Sequence, residues 1–103
     1  MASNVSSRVS DNKALLSLNG RFDFSIHRDF RSNYETILNT AGVNELDVDL
    51  NGVDYIDSSA LGMLLLLREK ATAKNIKMTL VNPKDSVRQV LEVANFGRLF
   101  SIT

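Results

Sequence analysis

The chain has 103 residues, 44% of them apolar, with one proline and five glycines, a composition that fills one folded domain spanning residues 1–103 and argues against a long disordered tract. Lysine plus arginine and aspartate plus glutamate each number 12, so no net field draws the protein onto a polyanion, and no nucleic-acid partner is expected. Cysteine is absent, which excludes disulfides, thiolate metal sites and cysteine nucleophiles together and suits a reducing compartment.

The opening Met1-Ala2-Ser3-Asn4 lacks a basic stretch followed by an apolar core and does not read as a secretory signal. The longest dense apolar run, Ala60 to Leu67, falls far short of the roughly 20 residues that span a bilayer as a helix. The expectation is a cytoplasmic protein with no direct membrane insertion. Val5 and Val9, then Leu15, Leu16 and Leu18, read as a strand pair or one bent strand, with Asn19-Gly20 as a turn. Arg21-Phe22-Asp23-Phe24 alternates, and Ser25 offers its hydroxyl as the cap of a following helix. Ile26, Phe30, Tyr34, Ile37, Leu38 and Ala41 recur at spacings of three and four on one face of that helix, which Gly42 ends.

Glu45 to Leu50 alternates, placing Leu46, Val48 and Leu50 on one face of a strand, and Asn51-Gly52 reads as a turn. Val53 to Ile56 leads into two serines, after which Ala60 to Ala73 is rich in good helix formers. Ile76 to Val81 alternates again. Asn82-Pro83 then reads as a cap with proline at the first helical position, ahead of a stripe of Val87, Val90, Leu91 and Ala94 that Gly97 closes. Leu99 to Ile102 offers a last strand. Strands alternating with helices imply an α/β domain, with a largely parallel or mixed sheet covered by helices.

Chemistry concentrates in Asp57-Ser58-Ser59-Ala60-Leu61-Gly62. By position Ser58 reads as an N-cap, since serine is among the commonest caps. A helix start also presents unsatisfied amides and a partial positive charge, so a phosphate there is tolerated by the fold while repelling anything packed on the same turn.

The run Asp57-Ser58-Ser59-Ala60-Leu61-Gly62, preceded by Leu46-Asp47-Val48-Asp49-Leu50 and Val53-Asp54-Tyr55-Ile56, resembles the STAS domain of bacterial anti-sigma factor antagonists. Gly20-Arg21-Phe22-Asp23 resembles that family's turn before its first helix, and Asn82-Pro83 and Phe96-Gly97 with Leu99-Phe100 sit where its third helix begins and ends. The resemblance implies a STAS-like single domain: a mixed, mostly parallel sheet of four or five strands with three main helices. It implies no catalysis and no cofactor. Ser58 would be phosphorylated by a partner that is both anti-sigma factor and serine kinase, a PP2C-type phosphatase would reverse this, and the unmodified form would hold the anti-sigma factor. Partner contacts carry over to Asp23, Phe24, Ser25, Asp57, Ser58, Ser59, Ala60, Leu61, Gly62 and Met63. Many family members have glycine where this chain has Ala60, the better helix former by up to about 1 kcal/mol. An alternative within the family is a lone STAS subunit of an ABC-type lipid transport complex.

Ser59 is the second choice of phosphoacceptor and the better candidate for helping to cap the helix. Asp47, Asp49, Asp54 and Asp57 raise a Mg²⁺ site, but alternation places Asp47 and Asp49 on a polar strand face, and no metal is expected. The same aspartates suggest a receiver domain, whose acidic pair after the first strand is replaced here by Asn19-Gly20-Arg21. His27 is the sole histidine and reads as a surface residue, and the glycines are scattered singly, without a phosphate loop. Met63 to Leu67 covers every side of a helical turn, which reads as a helix buried on most sides, with Met63 and part of the leucine run as a docking surface in the competing reading.

Overall fold

Alternating apolar residues build the sheet from one face only. In the structure, a computed structural model that describes residues 4–103, Ala14, Leu16 and Leu18, then Leu46, Val48 and Leu50, then Met78 and Leu80 are buried. Leu15, Ser17, Asp47, Asp49 and Thr79 between them are half-buried on the opposite face. The reading of Met1-Ala2-Ser3 lies outside the described residues. Five strands run β1 (Val5–Ser10), β2 (Lys13–Phe22), β3 (Glu45–Ile56), β4 (Lys77–Val81) and β5 (Ser101–Ile102), in that spatial order. β1 is antiparallel to β2, and the other neighbours are parallel. Of a strand pair and one bent strand, the pair is therefore correct; it turns at Asp11, whose φ is 55°.

Parallel strands need crossovers, and the helices supply them. α1 (His27–Leu38) buries Phe30, Tyr34, Ile37 and Leu38 over β1 and β2, α2 (Ser58–Ala73) buries Ala60, Leu64, Leu67 and Ala71 beside it, and α3 (Asp85–Val93) buries Val87 and Leu91 against β3. The result is the α/β domain with a mixed, mostly parallel sheet and three main helices expected from the sequence.

Several local readings are corrected. Asn19-Gly20 and Asn51-Gly52 are not turns: both lie inside long strands, paired Asn19 to Gly52 where the β2–β3 register shifts. Glycine is needed there for a non-local reason, because a Cβ on Gly52 would meet the Asn19 side chain and stand 3.0 Å from the Leu18 carbonyl oxygen. Ser25 does not cap α1. Asp23 caps a 3₁₀ turn, Phe24–Ile26, and α1 starts only at His27. α1 ends at Leu38, so Ala41 is exposed and Val43 returns to the core instead. Thr40 Oγ1 donates to the Thr36 carbonyl at 2.7 Å, a local bond of the kind that competes with helix continuation. Asn82 does not cap α3: it is left-handed at φ 57°, and the backbone cap is Lys84, whose ammonium reaches Asp54 at 2.7 Å. An N-cap residue is extended, and here it is Lys84 (φ −64°, ψ 158°) rather than left-handed Asn82 that has this conformation, so α3 starts past Pro83, at Asp85. In α2, Leu64 and Leu67 are buried while Leu65 and Leu66 are 36% and 47% exposed, so the helix buried on most sides is corrected to one with an outward apolar face.

Candidate functional site

β2 and β3 leave the sheet side by side. Their parallel register pairs Phe22 with Ile56, and the Asp57 amide donates to the Phe22 carbonyl at 3.4 Å. The next residues, Asp23 and Asp57, therefore open two adjacent Asp-x-Ser turns. Asp23 Oδ1 accepts from the Ser25 amide at 3.0 Å and from the Ser25 hydroxyl. Asp57 Oδ1 accepts from the Ala60 amide at 3.0 Å and from the Ser59 hydroxyl at 2.6 Å. In each turn the aspartate satisfies amides that a helix start leaves unpaired.

This arrangement overturns the reading of Ser58 as an N-cap. Asp57 is the cap, Ser59 supports it, and Ser58 is the first residue of α2. Ser58 is exposed, and among the described residues its hydroxyl has no hydrogen-bond partner. The matching middle residue of the other turn is Phe24, 55% exposed and stacked on His27 with ring centroids 4.3 Å apart, so His27 is half-buried rather than a plain surface residue. An unengaged hydroxyl and an exposed aromatic ring thus project from neighbouring turns.

The two carboxyls titrate low. The Ser59 hydroxyl, then the Ala60 amide, hold Asp57 below its ordinary value of 3.8, against the opposing charge of Asp23. The Ser25 hydroxyl and amide do the same for Asp23, with a smaller contribution from Arg21. A carboxyl depressed by folding stabilises the native state fully above its unfolded value, and that contribution is lost as pH falls through the folded value. Urea unfolding from pH 7 downward should show stability decline below about pH 4. Asp57→Asn should flatten that decline, and an unchanged profile would refute the assignment.

Most of the expected partner residues gather here. Asp23, Phe24, Ser25, Asp57, Ser58 and Ser59 form the twin turns, and Gly62 is exposed one helical turn beyond Ser58. Leu61 and Met63 are half-buried at the flanks. Ala60 is corrected: it is fully buried and packs in the core, so it offers no contact surface. Arg21 and Tyr55 were missed. They are register partners, with the Arg21 guanidinium 4.1 Å over the Tyr55 ring and its Nε 3.4 Å from Asp23. Alternation already turned Arg21 away from buried Phe22, but its aromatic partner depends on strand register, which local sequence does not give. Of the aspartates considered for a metal, Asp47 pairs with Lys13 at 3.1 Å, Asp49 accepts from the Asn51 amide at 2.9 Å, and Asp54 meets Lys84.

Among the described residues, no helix is long and apolar enough to cross a membrane. A family model described as a Mlab STAS domain matches residues 5–101. A STAS-domain containing protein of Pseudomonas aeruginosa is 46% identical over 88 residues, covering 85% of each chain. A putative anti-sigma factor antagonist of Thermotoga maritima superposes with a TM-score of 0.84 at 23% identity over 95% of this chain and 84% of its own. The anti-sigma factor antagonist SpoIIAA, in its unphosphorylated form, superposes with a TM-score of 0.80 at 20% identity over 96% of this chain and 87% of its own. At those identities the solved structures establish a shared fold. Together with the family match and the close Pseudomonas relative, they show that this chain belongs to the STAS-domain family.

Proposed function

We propose that this chain is an anti-sigma factor antagonist: a non-catalytic partner switch that holds a serine-kinase-type anti-sigma factor when unmodified and releases it once Ser58 is phosphorylated. The observation that carries the proposal is the division of labour in the second turn, where Asp57 caps α2 and leaves the exposed Ser58 hydroxyl unengaged. Ser58 is then a substrate residue, not a nucleophile, and a PP2C-type phosphatase would restore it. Ser59 is a poorer acceptor because its hydroxyl is spent on Asp57. SpoIIAA, with the same fold, has been solved in unphosphorylated and phosphorylated forms, which accords with a phosphate tolerated by this architecture.

Mechanism follows from charge and shape. A phosphoserine carries about −1.5 to −2 charge, which the first-turn amides and helix dipole of α2 accommodate. A partner seated over the same turn would meet a hydrated dianion beside Asp57 and Asp23. Gly62 supports a close partner, since it lies mid-helix, exposed, and a Cβ there would touch nothing within 4 Å. Glycine costs a helix about 1 kcal/mol relative to alanine, and nothing in this fold requires it, so close approach by another backbone is its use. Gly62→Ala should therefore raise unfolding stability by about 0.5–1 kcal/mol while weakening partner capture. Improved stability with undiminished capture would refute that role.

A second reading, a lone STAS subunit of an ABC-type lipid transport complex, draws on the exposed Leu65 and Leu66 of α2 and on a matched family model described as Mlab rather than as an antagonist. Affinity capture with the unmodified chain and mass identification separate the two. The switch reading expects a kinase-like regulator lost with Ser58→Glu. Recovery of an ATPase and a permease, insensitive to Ser58→Glu, would favour the transporter.

A further inference from the structure

The seam between α1 and α2 forms a groove of 240 Å³ whose apolar floor is Phe30, Tyr34, Met63 and Leu66. Phe30 and Tyr34 are 1% and 2% exposed, while Leu66 is 47% exposed at the lip. The groove opens beside the Asp23 turn, because His27 lines it and carries the stacked Phe24 ring.

Two independent features give the chemistry of its occupant. The first is charge. Lys70 lines the groove with no ion pair among the described residues, and Arg31 lines it tethered to Glu35 at 2.6 Å. Arg28 and Lys74 line the adjoining hollows, and among the described residues that line these three hollows Glu35 is the sole acid beside His27 and the four cations. The second is Tyr34. Its ring is buried, yet among the described residues its hydroxyl has no hydrogen-bond partner and is not sealed from solvent, which leaves it directed into the groove it lines. A hydroxyl that only water satisfies, held in place on a buried ring, offers a hydrogen bond to an incoming acceptor.

We infer that this groove seats an acidic amphipathic helix of the switch partner. Its apolar residues would lie on the Phe30, Tyr34, Met63 and Leu66 floor, and its carboxylates would meet Lys70, Arg31 and the Tyr34 hydroxyl. Size favours a helix over a whole small molecule: small-molecule pockets usually run about 300–1,000 Å³, whereas a seam between two helices matches helix-in-groove recognition by residues spaced three and four apart. The inference rests on the switch reading for the partner's identity, and on the groove alone for its chemistry.

The test selects helical peptides, randomised along one face, against the full chain, then measures their binding to variants. Selected peptides should carry Asp or Glu beside apolar residues at helical spacing. Lys70→Glu should weaken them roughly tenfold, since an attraction becomes a repulsion. Tyr34→Phe, which keeps the ring, should weaken them about three- to tenfold. Leu66→Glu should also release them, while Val93→Ser, at an exposed position of α3 outside the groove, should leave peptide binding intact. Partner capture keeps the two proposals apart: its loss with Ser58→Glu supports the switch whether or not the groove binds peptide. Basic or neutral consensus sequences, no selected binder, binding indifferent to Lys70→Glu, or decanoate binding more tightly than every selected peptide would overturn the groove assignment.

Discussion

Ser58→Glu should reduce affinity for the proposed anti-sigma partner by roughly 100-fold or more, with the far-UV circular dichroism spectrum unchanged and Tm within a few degrees of wild type. The size follows from placing a charge in a contact that must close over it: an unpaired, desolvated charge costs several kcal/mol, and about 1.4 kcal/mol is tenfold in affinity. The fold should be indifferent because the substituted side chain is exposed at the first position of α2, where an acidic group is favoured by the helix dipole and the cap belongs to Asp57. Isothermal titration against the purified partner reads the first quantity, and thermal unfolding the second. A Ser58→Glu chain that binds as tightly as wild type would remove the switch from this serine, whereas weaker binding accompanied by unfolding would show only that the turn is structural.

Phe22→Ala should be the most damaging substitution to the site's foundation, at about 3–5 kcal/mol of unfolding free energy. Phe22 is fully buried at the end of β2, its ring packs 5.3 Å from that of Phe30 in α1, and its carbonyl accepts the Asp57 amide. Losing the ring leaves a cavity beneath both Asp-x-Ser turns at once. A loss of that size corresponds to a fall in Tm of roughly 15 °C or more for a domain of this length. Chemical denaturation measures it directly; a loss below about 1 kcal/mol would mean that the turns are not anchored through this side chain.

Element type was legible wherever one face is buried. Leu46, Val48 and Leu50 in β3, and the Phe30, Tyr34 and Ile37 series in α1, obey the periods of strand and helix because each element has a single apolar side. Boundaries were less legible where two explanations share the same residues. Asn51-Gly52 has turn chemistry, but its glycine answers to Asn19 on the neighbouring strand, a contact that exists only after β2 and β3 pair. Asp57, Ser58 and Ser59 are all good caps in sequence, and only the folded turn shows that the aspartate takes the amide, which changes what Ser58 is free to do. Local pattern equally could not assign Leu65 and Leu66 outward and Leu64 and Leu67 inward within an unbroken apolar run, because that depends on where α1 and the sheet lie. The twin turns themselves were half visible: Asp23-Phe24-Ser25 and Asp57-Ser58-Ser59 share a spacing, while their adjacency comes from the Phe22–Ile56 register.

The most direct measurement is phosphosite mapping by mass spectrometry after the wild-type and Ser58→Ala chains are incubated with the captured kinase and ATP. The expected result is a single phosphate on Ser58 in the wild type and none on the Ser58→Ala chain. A phosphate on Ser59, or undiminished modification of the Ser58→Ala chain, would contradict the assignment of the switch to Ser58.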